Sequence, residues 1–155
     1  MKIYSDGSCN FRNRLGGIGV YIILDEGKEH FISKGFRDTT ISRMEGIALL
    51  EGIRFLDKTL RCRVDIYSDS QYIIKSFTEE RLKKWEYNGW YGIKNIDMWK
   101  AILYEIRQRP MIDFRFHHIR GHLVDLSNKN VLGNNIADLL ANYKTKKKFY
   151  SDKLL

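Results

Sequence analysis

Residues 3–8 read Ile-Tyr-Ser-Asp-Gly-Ser, and residues 66–70 read Ile-Tyr-Ser-Asp-Ser. One small element thus occurs twice, a strand that ends on a carboxylate, Asp6 in the first copy and Asp69 in the second. If these strands are parallel neighbours, both carboxylates come to one end of one sheet. Residues 2–8 alternate as a strand, and residues 16–24 and 30–36 read as two more, separated by an Asp-Glu-Gly turn at 25–27. Three consecutive strands predict an antiparallel meander. A helix is expected from Ser42 to about Leu60, with Glu45, Leu49, Gly52, Ile53, Leu56 and Leu60 on one stripe. Residues 63–68 form the strand of the second Asp element and lead into a helix near Asp69. A further helix over 95–109 stops at Pro110, the only proline. Residues 111–119 read as a fifth strand, and residues 131–148 as a last helix with Ile136, Leu139, Leu140 and Tyr143 on its apolar face. The order βββαβααβα predicts an α/β fold: a five-stranded mixed sheet, three antiparallel strands followed by parallel ones, flanked by helices.

A chain of 155 residues, 43% hydrophobic and 30% charged, predicts a single domain over residues 1–155. The longest apolar run, residues 20–24, is too short to span a bilayer, and the N-terminus has no secretory pattern, so a cytoplasmic setting is expected. Two cysteines, Cys9 and Cys62, without CxxC spacing, indicate neither a disulfide framework nor a zinc site. The net charge is +8, yet residues 1–80 balance their acids and bases, so the whole excess lies in the second half. Such asymmetry suits a protein that meets a polyanion with one surface, and it equally suits a solubilising tail.

Four acids occupy costly positions. Asp6 and Asp69 end strands, Glu45 begins an apolar stripe, and Asp138 follows Asn134-Asn135-Ile136-Ala137 in the last helix. Taken singly, Asp6 is explained as a turn former, Asp69 as a helix cap and Asp138 as a complement to the helix dipole. Glu45 has no such explanation. A buried, unpaired carboxylate costs several kcal/mol or takes up a proton, and four together repel one another. Divalent cations relieve both costs. Oxygen ligands without cysteine favour magnesium or manganese, and paired ions about 3.5 to 4 Å apart are a recurrent device for phosphodiester hydrolysis.

At these residues the sequence resembles the bacterial-type (type 1) ribonuclease H family. The matching segments are Asp6-Gly7-Ser8-Cys9, Gly16-Gly17-Ile18-Gly19, Thr39-Thr40 with Arg43-Met44-Glu45, and Ser68-Asp69-Ser70-Gln71-Tyr72. They continue in family order with Trp85, Asn88-Gly89-Trp90, residues 94–99, Arg120-Gly121-His122 and residues 134–138. The resemblance implies an endoribonuclease that hydrolyses the RNA strand of an RNA/DNA hybrid with two Mg2+ ions, for which Mn2+ can substitute, leaving 3'-hydroxyl and 5'-phosphate ends. Asp6, Glu45, Asp69 and Asp138 map onto its metal-binding acids, and His122 onto its catalytic-loop histidine. His117, in an alternating strand, reads as structural.

By the same resemblance, Cys9, Ser42 and Gln71 face the minor groove, Thr40 and Asn95 hold a DNA-strand phosphate, and Trp85 is a wall for a deoxyribose. Lys83, Lys84 and Lys94 lie beside that aromatic segment as a backbone grip. Trp99 reads as core filler, Trp90 less so, and residues 144–148 as a solvated tail. Ile41 stands where the family commonly has a groove-reading asparagine, and the stretch between Trp90 and Trp99 is shorter than a full basic protrusion. A monomer without a separate hybrid-binding domain is expected. The competing expectations are a DNA-directed nuclease of the same fold and a hybrid-binding module without chemistry.

Overall fold

A computed structural model describes residues 1–125 and 127–154. The sheet has six strands in the order β5-β4-β1-β2-β3-β6. β1 (Lys2–Cys9), β2 (Gly16–Ile23) and β3 (Glu29–Arg37) form the expected antiparallel meander. β4 (Cys62–Ser68) lies parallel to β1, pairing Tyr4 with Tyr67, so the two Ile-Tyr-Ser-Asp elements are in register side by side. β5 (Ile112–His118) continues parallel to β4.

Helices cover both faces. α1 (Ile41–Phe55), α2 (Gln71–Thr78), α3 (Arg81–Tyr87) and α4 (Ile96–Arg107) build the main core with one side of the sheet, where Met44, Leu49, Ile53, Met98, Trp99 and Ile102 close over Ile3, Val20 and Ile66. Burial of such apolar area is the principal stabilising term of the domain. α5 (Lys129–Ala141) covers the other side through a smaller cluster of Tyr4, Tyr21 and Ala137. There His117, Tyr67, Tyr4, Tyr21 and Phe31 stack in sequence across five strands, with centroids 4.8 to 5.8 Å apart. Among the described residues no helix is long and apolar enough to cross a membrane.

Five expectations need correction. The sheet gains a sixth strand, β6 (Phe149–Ser151), parallel to the edge of β3. The last helix ends at Ala141, not 148: Ser8 Oγ donates to the Ala141 carbonyl at 2.5 Å, and Asn142 accepts from the Lys144 amide, which opens a new turn. The lysine run is therefore no free tail, since half-buried Lys146 donates through Nζ to the Leu140 carbonyl before the chain enters β6. α1 ends at Phe55 rather than near Leu60, because Asp57 Oδ1 accepts from both the Thr59 amide (2.7 Å) and hydroxyl (2.6 Å) and so folds residues 57–59 into a turn of their own. The stretch after α2 also forms a separate short helix, α3, that periodicity did not indicate.

Candidate active site

The parallel pairing of β1 with β4 brings Asp6 and Asp69 together, as the repeated element predicts. Asp6 is buried, 6% exposed, on the face covered by α5. Burial first, then the Asp69 charge and a hydrogen bond with Asp138, push its carboxyl up to about 8, against one opposing bond from the Gly7 amide at 2.8 Å. Glu45, in the first turns of α1, is raised as well, by burial and by Asp69, although the Ser70 hydroxyl donates to Oε2 at 2.6 Å and opposes the shift. Ser70 also caps α2 by accepting from the Ile73 amide at 3.3 Å. The cap expected of Asp69 thus belongs to its neighbour, and the Asp69 carboxylate is left to the cluster.

Two glycines set the spacing. A Cβ at Gly7 would lie 2.4 Å from the Glu45 amide nitrogen, so only glycine lets α1 lay Glu45 against the strand that carries Asp6. A Cβ at Gly121 would lie 2.4 Å from Asp69 Oδ2, so the loop after β5 rests its bare backbone on that carboxylate. His122 follows at once, exposed and in the left-handed region at φ 57°. Asn135 anchors the far side of the loop by donating to the Leu123 carbonyl at 3.1 Å. His117 is structural as expected: Nε2 meets Asp65 Oδ1 at 2.7 Å and the ring stacks on Tyr67.

Among the described residues no lysine or arginine forms an ion pair with Asp6, Glu45, Asp69 or Asp138. The donors are hard oxygens, the charge is all of one sign, and burial makes it expensive, so these residues fit divalent magnesium or manganese. Buried Asn134 Oδ1, one turn before Asp138, is a further oxygen without a partner among the described residues. The fit is to an open site rather than a finished cage, because among the described residues no three ligating groups already converge on a point. Magnesium suits an open site, since it retains waters and takes substrate phosphates as ligands.

The other expected residues lie around α1. Ser42, Trp85, Lys94 and Asn95 share one cleft of about 310 Å³ with Tyr72. Cys9 and Thr40 share a smaller one of about 200 Å³ with Phe11, Arg14 and Ile41. Gln71 is exposed at the start of α2, beside Ser70. Lys84 and Lys94 are exposed, but Lys83 Nζ is paired with Glu80 at 3.0 Å, which weakens its part in the expected grip. Trp90 is a core residue, 8% exposed, contrary to expectation, while Trp99 is fully buried as expected. The largest cleft, about 600 Å³ between β3, α1 and the C-terminal segment, contains none of the four acids.

Sequence reasoning missed the group that holds this surface in place. Arg43, two residues before Glu45, pairs with Asp97 Oδ2 and Asp152 Oδ2, both at 2.8 Å, and Nη1 reaches Asn95 Oδ1 at 3.5 Å. Buried Asp152 also accepts from the Thr39 hydroxyl at 2.6 Å. The signal lies in Arg43 itself, within the Arg43-Met44-Glu45 motif. Its partner Asp152 lies beyond the last element that the sequence predicts.

The RNase H family model matches residues 1–146. Ribonuclease H of Desulforamulus reducens is 35% identical over 127 residues, 79% of this chain and 76% of that protein. Ribonuclease H of Bordetella pertussis is 35% identical over 147 residues, 92% of this chain and 86% of that one. Among solved structures, LC9-RNase H1, a type 1 RNase H with the type 2 active-site motif, superposes with a TM-score of 0.74 at 25% identity, covering 99% of this chain and 75% of that one. The foamy viral protease-reverse transcriptase in complex with RNA/DNA hybrid superposes with a TM-score of 0.69 at 24% identity, over 90% of this chain and 19% of that one, a likeness of fold alone.

Proposed function

The chain belongs to the RNase H family, and from that premise we propose that Asp6, Glu45, Asp69 and Asp138 are the catalytic centre of an endoribonuclease that hydrolyses the RNA strand of RNA/DNA hybrids. One observation carries the assignment of these acids: Asp6 is buried against two other carboxylates, with no ion pair to offset them among the described residues. Such a cluster is unfavourable in the protein alone and becomes favourable once a cation and a phosphate complete it.

Magnesium, when bound, supplies charge neutralisation at the reacting phosphate and a water of lowered pKa. The chain's own residues supply placement. Asp6 and Asp138 present oxygens from β1 and α5, Asp69 from the end of β4, and Glu45 from α1, with Ser70 fixing the rotamer of Glu45 through one hydrogen bond. His122 stands on the loop that Gly121 lays over Asp69, where an imidazole can take up or release a proton beside the reacting phosphate.

The hybrid lies across the N-terminal end of α1. Cys9, Ser42 and Gln71 meet the minor groove, where the 2'-hydroxyl distinguishes RNA from DNA. Thr40 and Asn95 hold a phosphate of the DNA strand, Trp85 packs a sugar, and Lys84 and Lys94 hold the backbone, with Lys83 a lesser contributor. The decisive experiment incubates the protein in magnesium with labelled RNA/DNA hybrid, duplex RNA and duplex DNA. Cleavage confined to the RNA of the hybrid, with 3'-hydroxyl ends, is the expected result. Cleavage of DNA, or tight binding of the hybrid without cleavage, would overturn the proposal in favour of a DNA nuclease or a binding module.

A further inference from the structure

Tyr87 and Tyr91 are 92% and 91% exposed, yet the turn that carries them is fixed. Trp90, between them, is sunk in the main core, and its amide donates to the Trp85 carbonyl at 2.7 Å. The Ile93 amide donates to the Trp90 carbonyl at 3.2 Å and closes the next turn. One ring of the segment thus anchors it and two are held out in water, so little freedom remains to be lost when something packs on them.

The charges beside these rings are already engaged. Arg81 is paired with Glu79 at 2.6 Å, Lys83 with Glu80 at 3.0 Å, and Glu86 takes both guanidinium nitrogens of Arg107 at 2.6 and 3.0 Å. Among the described residues only Lys84 and Lys94 of this stretch carry a positive charge without an ion pair. The segment therefore offers ring faces more than cations. It is also continuous with the cleft of Trp85, Lys94, Asn95 and Ser42, since Tyr87 lies two residues beyond Trp85 and Tyr91 directly precedes Gly92 of that cleft.

We propose that Tyr87 and Tyr91 are a stacking platform for unpaired bases in a single strand that continues from the end of the hybrid. The proposal rests on the hybrid reading above and adds to it a preference for junctions between hybrid and single-stranded nucleic acid. Along its length a duplex shows these rings only base edges and phosphates, whereas an unpaired base presents a π-face that any aromatic ring can accept whatever the sequence. Lys84 and Lys94 attract the backbone of the same strand.

The test compares a blunt hybrid with the same hybrid bearing a six-nucleotide single-stranded DNA overhang, both bound in calcium to prevent turnover. The intact protein is expected to bind the overhang form about tenfold more tightly, and an overhang of abasic sugars is expected to forfeit that gain. Y87A/Y91A should lose the gain while keeping its affinity for the blunt hybrid and its cleavage rate on it in magnesium. Y87F/Y91F should retain the gain. Equal affinity for blunt and overhang forms, a gain that survives in Y87A/Y91A, or a gain that persists with abasic sugars would overturn the platform. Blunt-hybrid cleavage by the intact protein reports separately on the hybrid reading.

Discussion

Arg43 and Glu45 stand two residues apart in the first two turns of α1, in charge clusters of opposite design. Arg43 meets two carboxylates, each at 2.8 Å, and one of them, Asp152, also accepts from Thr39. Its charges are paired and its hydrogen bonds made. Glu45 and its neighbours Asp6, Asp69 and Asp138 are four acids that, among the described residues, have one serine and one amide to serve them. The first arrangement locks α1, α4 and the C-terminal strand to one another. The second stores repulsion that a proton on Asp6 relieves in part and a divalent cation relieves without neutralising the acids. Satisfied charge marks where this chain holds itself together, and unsatisfied charge marks where it expects a ligand.

The largest effect that follows is on chemistry. Asp69→Asn is expected to lower the cleavage rate by at least about a thousandfold, roughly 4 kcal/mol of barrier, because it removes the one carboxylate charge that acts on both Asp6 and Glu45. Hybrid binding in calcium, read by gel shift or anisotropy, should stay within a few-fold. Cleavage by this variant at an ordinary rate would dissolve the contrast between the clusters.

Arg43→Ala should act in the other direction, on stability more than on chemistry. It leaves Asp152 buried without its cation, and because Asp97 is partly solvated the cost is taken at the low end for buried pairs, about 3 kcal/mol. In a chain of this size that corresponds to a melting temperature lower by roughly 6 to 12 °C. A variant melting within a degree or two of the parent would show that the paired cluster is not what ties the C-terminal strand down.

How much of this could be read from the sequence follows the same division. The strained acids were legible because each breaks a local rule: Glu45 on an apolar stripe, and Asp6 and Asp69 at the same place in two matching Ile-Tyr-Ser-Asp elements, although β1 runs on past Asp6 to Cys9. The paired cluster was not, because Asp152 directly follows a strand of three residues, β6, which pairs with the free edge of β3, and its own partners Thr39 and Arg43 lie more than a hundred residues earlier. No local period announces such a strand. The apolar spacing of Ile136, Leu139, Leu140 and Tyr143 argued for continuing the helix through the lysines, although Leu139 proves 73% exposed and the helix stops where Ser8 takes its carbonyl. Trp90 was misjudged for a similar reason, since neither its neighbours nor its spacing show that the turn folds back into the core.

Replacing Asp6 sharpens the comparison at a smaller scale. Its carboxyl is held up to about 8 against an ordinary value of 3.8, so between those limits the folded state keeps a proton that the unfolded chain has lost. Stability without divalent cation should therefore fall as pH rises from about 4 to about 8. Asp6→Asn removes that slope and, near pH 8, should raise stability by about 2 kcal/mol, while ending cleavage. Melting curves in chelator from pH 4.5 to 8.5 measure both. A parent protein whose stability rises across this range would show that the cluster stores no repulsion.

The smallest effect concerns two histidines that repeat the contrast. His117 is held by Asp65 at 2.7 Å and stacked on Tyr67, one rung of the ladder across the sheet, whereas His122 stands exposed on a left-handed turn beside the Asp69 cluster. A group with its partners in place contributes through them, so His117→Ala should lower the melting temperature and leave turnover of the hybrid near the parent's. His122 has nothing comparable to lose, and the left-handed backbone it occupies is mildly unfavourable for any residue with a Cβ, alanine included. His122→Ala should leave melting unchanged and slow turnover by about tenfold, some 1.4 kcal/mol, with KM little altered. If turnover instead followed His117 and melting followed His122, placement by satisfied bonds would not separate structural from catalytic groups in this chain.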